Sequence, residues 1–232
     1  LHVGGTPLYK TNALARVVRV KNLFLKDDTR NPSASFKDRA SAVVLAFAGE
    51  NKLGRIVAAS TGNAGAAMAC VCASANYPCT VIVPASAPPA KIAQLMNYGT
   101  KVVKVKGSYD KAYDLSIKTS EKFGWYNRNT GYNPITREGK KTCAFELCEQ
   151  LGYACPDYVF VPVGDGNIIS GIWKGFCDFY KIGFINRLPK MVAVQSEKSN
   201  AIVKAIKRAV EQQSSRAVEL SLIHISEPTR PY

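Results

Sequence analysis

Histidine is nearly missing from this 232-residue chain: His2 and His224 are the only two, and neither reads as catalytic. No cluster of His, Cys, Asp and Glu stands out with metal-ligand spacing. Acidic side chains are also few, 17 against 31 Lys and Arg, which leaves a formal net charge of +14. No apolar run is long enough to cross a bilayer, and the first residues carry no secretory pattern. The seven cysteines (Cys70, Cys72, Cys79, Cys143, Cys148, Cys155 and Cys177) show no zinc spacing, and their odd number argues against a closed disulfide set. Several fall in apolar helical runs, where a free thiol acts as a small hydrophobe. These absences point to a reducing cytoplasm.

The excess of positive charge has two readings. A basic surface can bind nucleic acid by releasing phosphate counterions. Here the basic residues are scattered, often as Lys-x-x-Lys on helix faces, with no interleaved aromatic run and no binding motif. The preferred reading is a positive field that steers small anionic ligands, with no nucleic acid and no membrane as partners.

The chain is long enough for one large or two small domains. Residues 53–127 alternate candidate strands (56–59, 80–83, 101–105 and 125–127) with helical stretches near 63–75, 88–98 and 108–123. That rhythm implies parallel strands with helices on the faces. Residues 128–140, rich in Asn, Thr, Gly and Pro, read as a loop. Helix 142–151, strand 158–161, helix 168–181, strand 191–195 and helix 198–212 then build a second α/β sheet.

Chemistry concentrates in the starts of a few helices. Asn31-Pro32-Ser33-Ala34-Ser35-Phe36-Lys37-Asp38-Arg39 is a turn of small residues running into a helix. Ser35 with Asp38 three residues on reads as a capping pair. Lys37 then lies at the positive end of the helix dipole, which disfavours its ammonium form. A lysine of that kind suits covalent attachment to a carbonyl cofactor. Two further stretches share one grammar: strand 56–59, loop Ser60-Thr61-Gly62-Asn63-Ala64-Gly65, helix; and strand 158–161, loop Gly164-Asp165-Gly166-Asn167, helix from Ile168. Each aims backbone N–H groups at the crevice beyond a strand's C-terminal end, ready for an anion. Two such loops and an activated lysine suggest a phosphorylated aldehyde cofactor and a carboxylate substrate.

In this order, Asn31–Arg39, Ser60–Gly65 and Pro162–Asn167 resemble the lysine, asparagine-loop and phosphate-loop motifs of the fold type II pyridoxal-phosphate enzymes. Ser35-Phe36-Lys37-Asp38-Arg39, Asn133-Pro134 with Arg137 through Thr142, and Ile172 through Phe176 are most similar to the threonine synthases within that group. The resemblance covers about residues 3–206. It implies an α/β fold of two doubly wound three-layer domains, tryptophan synthase beta-like, with the large domain incomplete at the C-terminus. Residues 1–40 and 141–220 would form parts of the large domain, 41–140 the small one. The N-terminal segment would join the second sheet. Leu1 is not a start methionine, and residues 221–232 resemble translated sequencing-adapter read-through, so the chain reads as a fragment with a non-native tail.

The same resemblance implies pyridoxal 5'-phosphate as cofactor, bound covalently to Lys37, which also moves protons. Phe36 would pack near it and Asn63 would donate to its phenolic oxygen. Gly164, Asp165, Gly166, Asn167 and Ile168 would hold its phosphate. Ser35, Ser60, Thr61, Gly62 and Ala64 would bind the substrate carboxylate. The implied reaction converts O-phosphohomoserine and water into threonine and phosphate, in a homodimer when the protein is complete. The alternative is another fold type II lyase or β-replacement enzyme acting on a serine-, threonine- or cysteine-like amino acid. Two positions depart from the family pattern. Ala34 stands where glycine is usual, and the phosphate loop is shorter and carries Asp165. A carboxylate facing a phosphate dianion would repel it, so Asp165 is expected to turn away or to pair with a lysine or arginine.

Overall fold

The computed structural model describes residues 1–212 and 223–224. Apart from Ile223–His224, the tail at 221–232 lies outside the described residues. The chain forms two compact units, Leu1–Thr142 and Cys143–Tyr232.

The first unit opens with β1 (Leu8–Lys10), α1 (Asn12–Val17) and β2 (Phe24–Lys26), then a 3-10 turn at Asp28–Arg30. β1 pairs antiparallel with β2 in a sheet of its own, Leu8 opposite Lys26. The sequence reading places this segment in the second sheet; the structure ties it off as a separate ribbon. There follow α2 (Lys37–Glu50), β3 (Ile56–Ala59), α3 (Asn63–Ser74), β4 (Cys79–Pro84), α4 (Pro89–Asn97), β5 (Lys101–Val105), α5 (Tyr109–Phe123) and β6 (Tyr126–Asn127).

These four strands run parallel in the order β5-β4-β3-β6. β3 and β4 are buried along their whole length, as central parallel strands covered on both faces must be. β5 is an edge strand, and its exposed Lys101 and Lys104 discourage further pairing. One face of the sheet packs a core containing Val44, Ile56, Met68, Val81, Val83 and Leu95. The other packs Val57, Ile82 and Ala112, with Trp125 alongside. Helices therefore cover both faces, giving three layers.

α6 (Ile135–Gln150) starts inside the stretch that reads as a loop. The reason is local: Asn133 Oδ1 accepts the Ile135 N–H at 2.9 Å, and Pro134 follows it. An Asn cap with a proline next to it is a helix start. The second unit continues with β7 (Tyr158–Pro162), α7 (Asn167–Lys181), β8 (Lys190–Gln195), α8 (Ala201–Gln212) and β9 (Ile223–His224). Its strands are parallel in the order β7-β8-β9. α7 buries Ile172, Gly175 and Phe176, and Phe179 stacks on Phe145 with ring centroids 4.4 Å apart. No helix among the described residues is long and apolar enough to cross a membrane.

Candidate active site

Lys37 is the first residue of α2, half-buried, and its own N–H is accepted by Ser35 Oγ at 3.2 Å. The turn before it is fastened at several points. Asn31 accepts the Gly4 N–H through Oδ1 at 2.9 Å, and its backbone carbonyl accepts the Ala34 N–H at 2.8 Å. Ala34, which stands where the resemblance leads one to expect glycine, takes a left-handed conformation, φ 55°. Asp38 is fully buried, and its two oxygens accept the Ser33 N–H at 2.7 Å and the Ser33 hydroxyl at 2.6 Å. Burial pushes the Asp38 carboxyl above the ordinary carboxylate range; the Ser33 and Ser35 hydrogen bonds oppose this, and Asp28 adds to it. The helix start expected from Ser35 and Asp38 is present, but Asp38 reaches past Ser35 to grip Ser33.

Arg39 supplies a second fastening. Its guanidinium, 2% exposed, holds Asp28 through Nε at 2.7 Å and Nη2 at 2.8 Å, and donates to the hydroxyls of Thr6 and Thr142, each at 3.0 Å. Such a forked arginine–carboxylate pair is directional as well as strong. Phe36 is half-buried, with its ring 5.7 Å from the Arg39 guanidinium carbon. Thr142 in turn donates to the Gly139 carbonyl, and Lys141 pairs with Glu138 at 2.7 Å. Gly139 has to be glycine: a Cβ there would overlap the Arg39 carbonyl oxygen and the Ala40 Cα.

The Ser60–Gly65 loop leaves the end of β3. Ser60 is buried and its Oγ accepts the Gly62 N–H at 3.2 Å; Thr61 and Ala64 are half-buried, while Gly62 and Asn63 are exposed. Asn63 opens α3, and the Gly62 carbonyl accepts from Gly65 and Ala66. A Cβ on Gly65 would press on the Ser60 carbonyl oxygen at 2.7 Å, so loop and helix meet only through glycine. Two side chains fix the residue before the loop: Asn129 Oδ1 accepts the Ala59 N–H at 2.8 Å, and Tyr109 donates to the Ala59 carbonyl at 3.1 Å. Asn129 is itself held by Ser116 and Asn127. Sequence reasoning missed these residues; the one available signal is the repeated asparagine at 127, 129 and 133.

In the second unit, Gly164 and Asp165 are exposed, Gly166 and Ile168 half-buried, and Asn167 buried. Gly166 caps α7 with φ 79°. Among the described residues Asp165 pairs with neither a lysine nor an arginine; its Oδ1 accepts the Asn167 N–H at 3.0 Å, curling onto the start of α7. Gln195, also missed, braces the loop by donating to the Gly164 carbonyl at 3.3 Å and accepting the Val203 N–H at 3.0 Å.

Within the first unit the residues are of the kind the implied cofactor needs: Lys37 stands at a helix start and the first turn of α3 supplies backbone donors. In the second unit, taken by itself, the first turn of α7 supplies donors suited to an anion. Open space surrounds the Cα of Gly62 and Gly164, where a Cβ would meet nothing within 4 Å. No group of three or more potential metal ligands occurs among the described residues.

Comparison with known proteins agrees. The chain is 41% identical over 206 residues to threonine synthase of Methanocaldococcus jannaschii, covering 88% of this chain and 51% of that protein. It is also 41% identical over 207 residues to threonine synthase of Methanosarcina acetivorans, covering 88% and 50%. It thus spans about half the length of the curated relatives it matches. Among solved structures, a pyridoxal 5'-phosphate-dependent aspartate racemase superimposes with a TM-score of 0.76 at 24% identity, covering 94% of this chain and 64% of that one. The processed form of threonine deaminase isoform 2 from Solanum lycopersicum gives 0.75 at 23%, covering 88% and 54%. These establish the fold. The family described as "Pyridoxal-phosphate dependent enzyme" matches residues 1–230, and the chain belongs to it.

Proposed function

We propose that the protein is a threonine synthase, converting O-phosphohomoserine and water into threonine and phosphate. The observation that carries the reading is Lys37 at the first position of α2, in a turn fastened by Asn31, Asp38 and Arg39. Two relatives that are each 41% identical over 88% of this chain are threonine synthases, which supports the reading.

In this reading Lys37 carries pyridoxal phosphate covalently, and its amine takes and returns substrate protons. Asn63 donates to the cofactor's phenolic oxygen, a neutral donor that stabilises a phenolate without protonating it. Phe36 packs nearby. Gly164, Asp165, Gly166, Asn167 and Ile168 hold the phosphate, chiefly through the N–H groups that open α7. The hydroxyls of Ser35, Ser60 and Thr61 and the N–H groups of Gly62 and Ala64 orient the substrate carboxylate. The cofactor, when bound, supplies the electron sink that makes the substrate's Cα–H acidic. The excess of Lys and Arg attracts a substrate bearing phosphate as well as carboxylate. In the complete protein, as the resemblance implies, residues 1–40 and 141–220 belong to the large domain and 41–140 to the small one, a division other than the two compact units of this chain. The complete protein is a homodimer.

The test incubates the folded chain with pyridoxal phosphate, reduces it with borohydride and locates the phosphopyridoxyl group by peptide mass spectrometry. Label on Lys37, lost in Lys37→Ala, supports the assignment; a folded chain unlabelled there overturns it. With O-phosphohomoserine, equal release of phosphate and threonine identifies the reaction. Formation of a 2-oxo acid from serine or threonine, with no phosphate released, selects the alternative lyase instead.

A further inference from the structure

Ala34 is a non-glycine residue in the left-handed region, three residues upstream of the lysine. For an L side chain this costs about 1 kcal/mol, and such strain persists only where the surroundings over-determine it. The residues that could do so are on the page. Ser33, on one side of Ala34, gives both its N–H and its hydroxyl to Asp38. Ser35, on the other side, accepts the Lys37 N–H. Asp38 is the next residue after Lys37 in the first turn of α2, and both of its oxygens are engaged. Successive helical side chains leave the axis about 100° apart, from 3.6 residues per turn. Anchoring Asp38 to Ser33 therefore sets the rotation of that first turn, and with it the direction in which Lys37 leaves it.

Resting on the reading that Lys37 carries the cofactor, we propose that Asp38 is a positioning residue: its clasp on Ser33 holds the left-handed turn at Ala34 and aims Lys37. This is more than helix capping. A cap needs only an acceptor or a negative charge near the first turn, whereas a clasp needs two oxygens at one reach.

The test compares the full chain with Asp38→Asn, Asp38→Glu, Ser33→Ala and the double variant Ala34→Gly/Asp38→Asn. Three readouts are followed: borohydride-trapped label on Lys37 relative to other lysines, amide hydrogen exchange at Ser33, and the melting temperature. Loss of one charge-assisted hydrogen bond in Asp38→Asn is expected to slow Lys37 labelling and to speed Ser33 exchange, each by about tenfold. Asp38→Glu, which keeps the charge but not the reach, behaves like Asp38→Asn. Glycine at position 34 removes the strain, so the double variant recovers labelling to within about threefold of the parent. Should Asp38→Asn fail to fold, Ser33→Ala carries the test, with labelling slowed by about threefold.

Labelling that follows only the fraction folded, full labelling in Asp38→Glu, or no recovery by glycine overturns the proposal. A Ser33 amide that exchanges at the unstructured rate in the parent chain overturns it without reference to any cofactor. If Ser33 is protected but Lys37 takes no label in the parent, the cofactor reading fails instead. The same order of variants in acetylation of Lys37 by acetic anhydride then decides whether Asp38 aims the lysine.

Discussion

The turn that delivers Lys37 and the loop that opens α7 are both short and small-residue connections into a helix, yet they are held in opposite ways. The lysine turn is fastened from a distance: Gly4 reaches Asn31, Asp28 reaches Arg39, and Thr142 closes the network from α6. The loop at 164–167 is shaped mainly by itself, with Gly166 left-handed and Asp165 folded onto the N–H of Asn167; Gln195 is its outside brace. A group that must make and break bonds at one atom benefits from fixed geometry. A loop that only cradles an anion can rely on backbone donors and on space.

That contrast can be broken most forcefully with two glycines. Gly139→Ala forces a methyl into the backbone of α2 and is expected to destabilise the chain by about 3 kcal/mol, at the upper end of overpacking costs. Gly164→Ala meets no neighbour and should leave urea-induced unfolding within about 0.5 kcal/mol of the parent. Equal costs at the two sites would erase the difference between the regions. Next in size, Arg39→Met removes the cation from the Asp28 carboxylate and leaves it the Thr6 hydroxyl, so the midpoint in urea should report a loss of about 3 kcal/mol or less, since Asp28 is also partly exposed.

A smaller effect is expected in the other loop. Asp165→Asn keeps an acceptor for the Asn167 N–H while removing a negative charge beside the N–H groups proposed to hold the phosphate. Pyridoxal phosphate affinity, read by absorbance titration, should rise by up to about tenfold; unchanged affinity would mean that Asp165 swings clear of the anion.

The smallest expected effect is in pH. Asp38 has a folded-state value raised above its ordinary 3.8, so the folded chain holds this proton at a pH where the unfolded chain has lost it. Its contribution to stability therefore falls as pH climbs from the ordinary value through the raised one, and is flat above. The Asp28 charge on the preceding turn adds to the rise at Asp38, and the Asp38 charge in turn helps to raise Cys70 and Tyr98 on other elements. Urea midpoints of the parent relative to Asp38→Asn should trace that decline; a difference independent of pH would remove it.

What could be read from the sequence was the part written locally. The strand at 56–59 is where the strand–helix rhythm put it, and Lys37 and Asn63 lie at helix starts as expected, because turn residues and caps act within a few positions of themselves. Asn167, read as the end of the loop, opens α7 one residue earlier than expected. The start of α6 was written locally too, in Asn133-Pro134, but the Gly- and Asn-rich surroundings obscured it. The ribbon of β1 and β2 and the braces Asp28, Asn129 and Gln195 could not be read this way. Their partners lie 11, 70 and 31 residues away, and no period or cap motif records such distances.

Gly139 and Gly65 carry a consequence for anyone ranking positions by tolerance. In a library of single substitutions scored by survival, both would score as badly as Lys37. Yet their intolerance comes from a carbonyl oxygen of a neighbouring segment occupying the volume of a methyl group. Inviolability in such a screen would thus mix two unrelated properties, the chemistry proposed for Lys37 and plain lack of room at the glycines, and only an assay that separates folding from labelling would tell them apart.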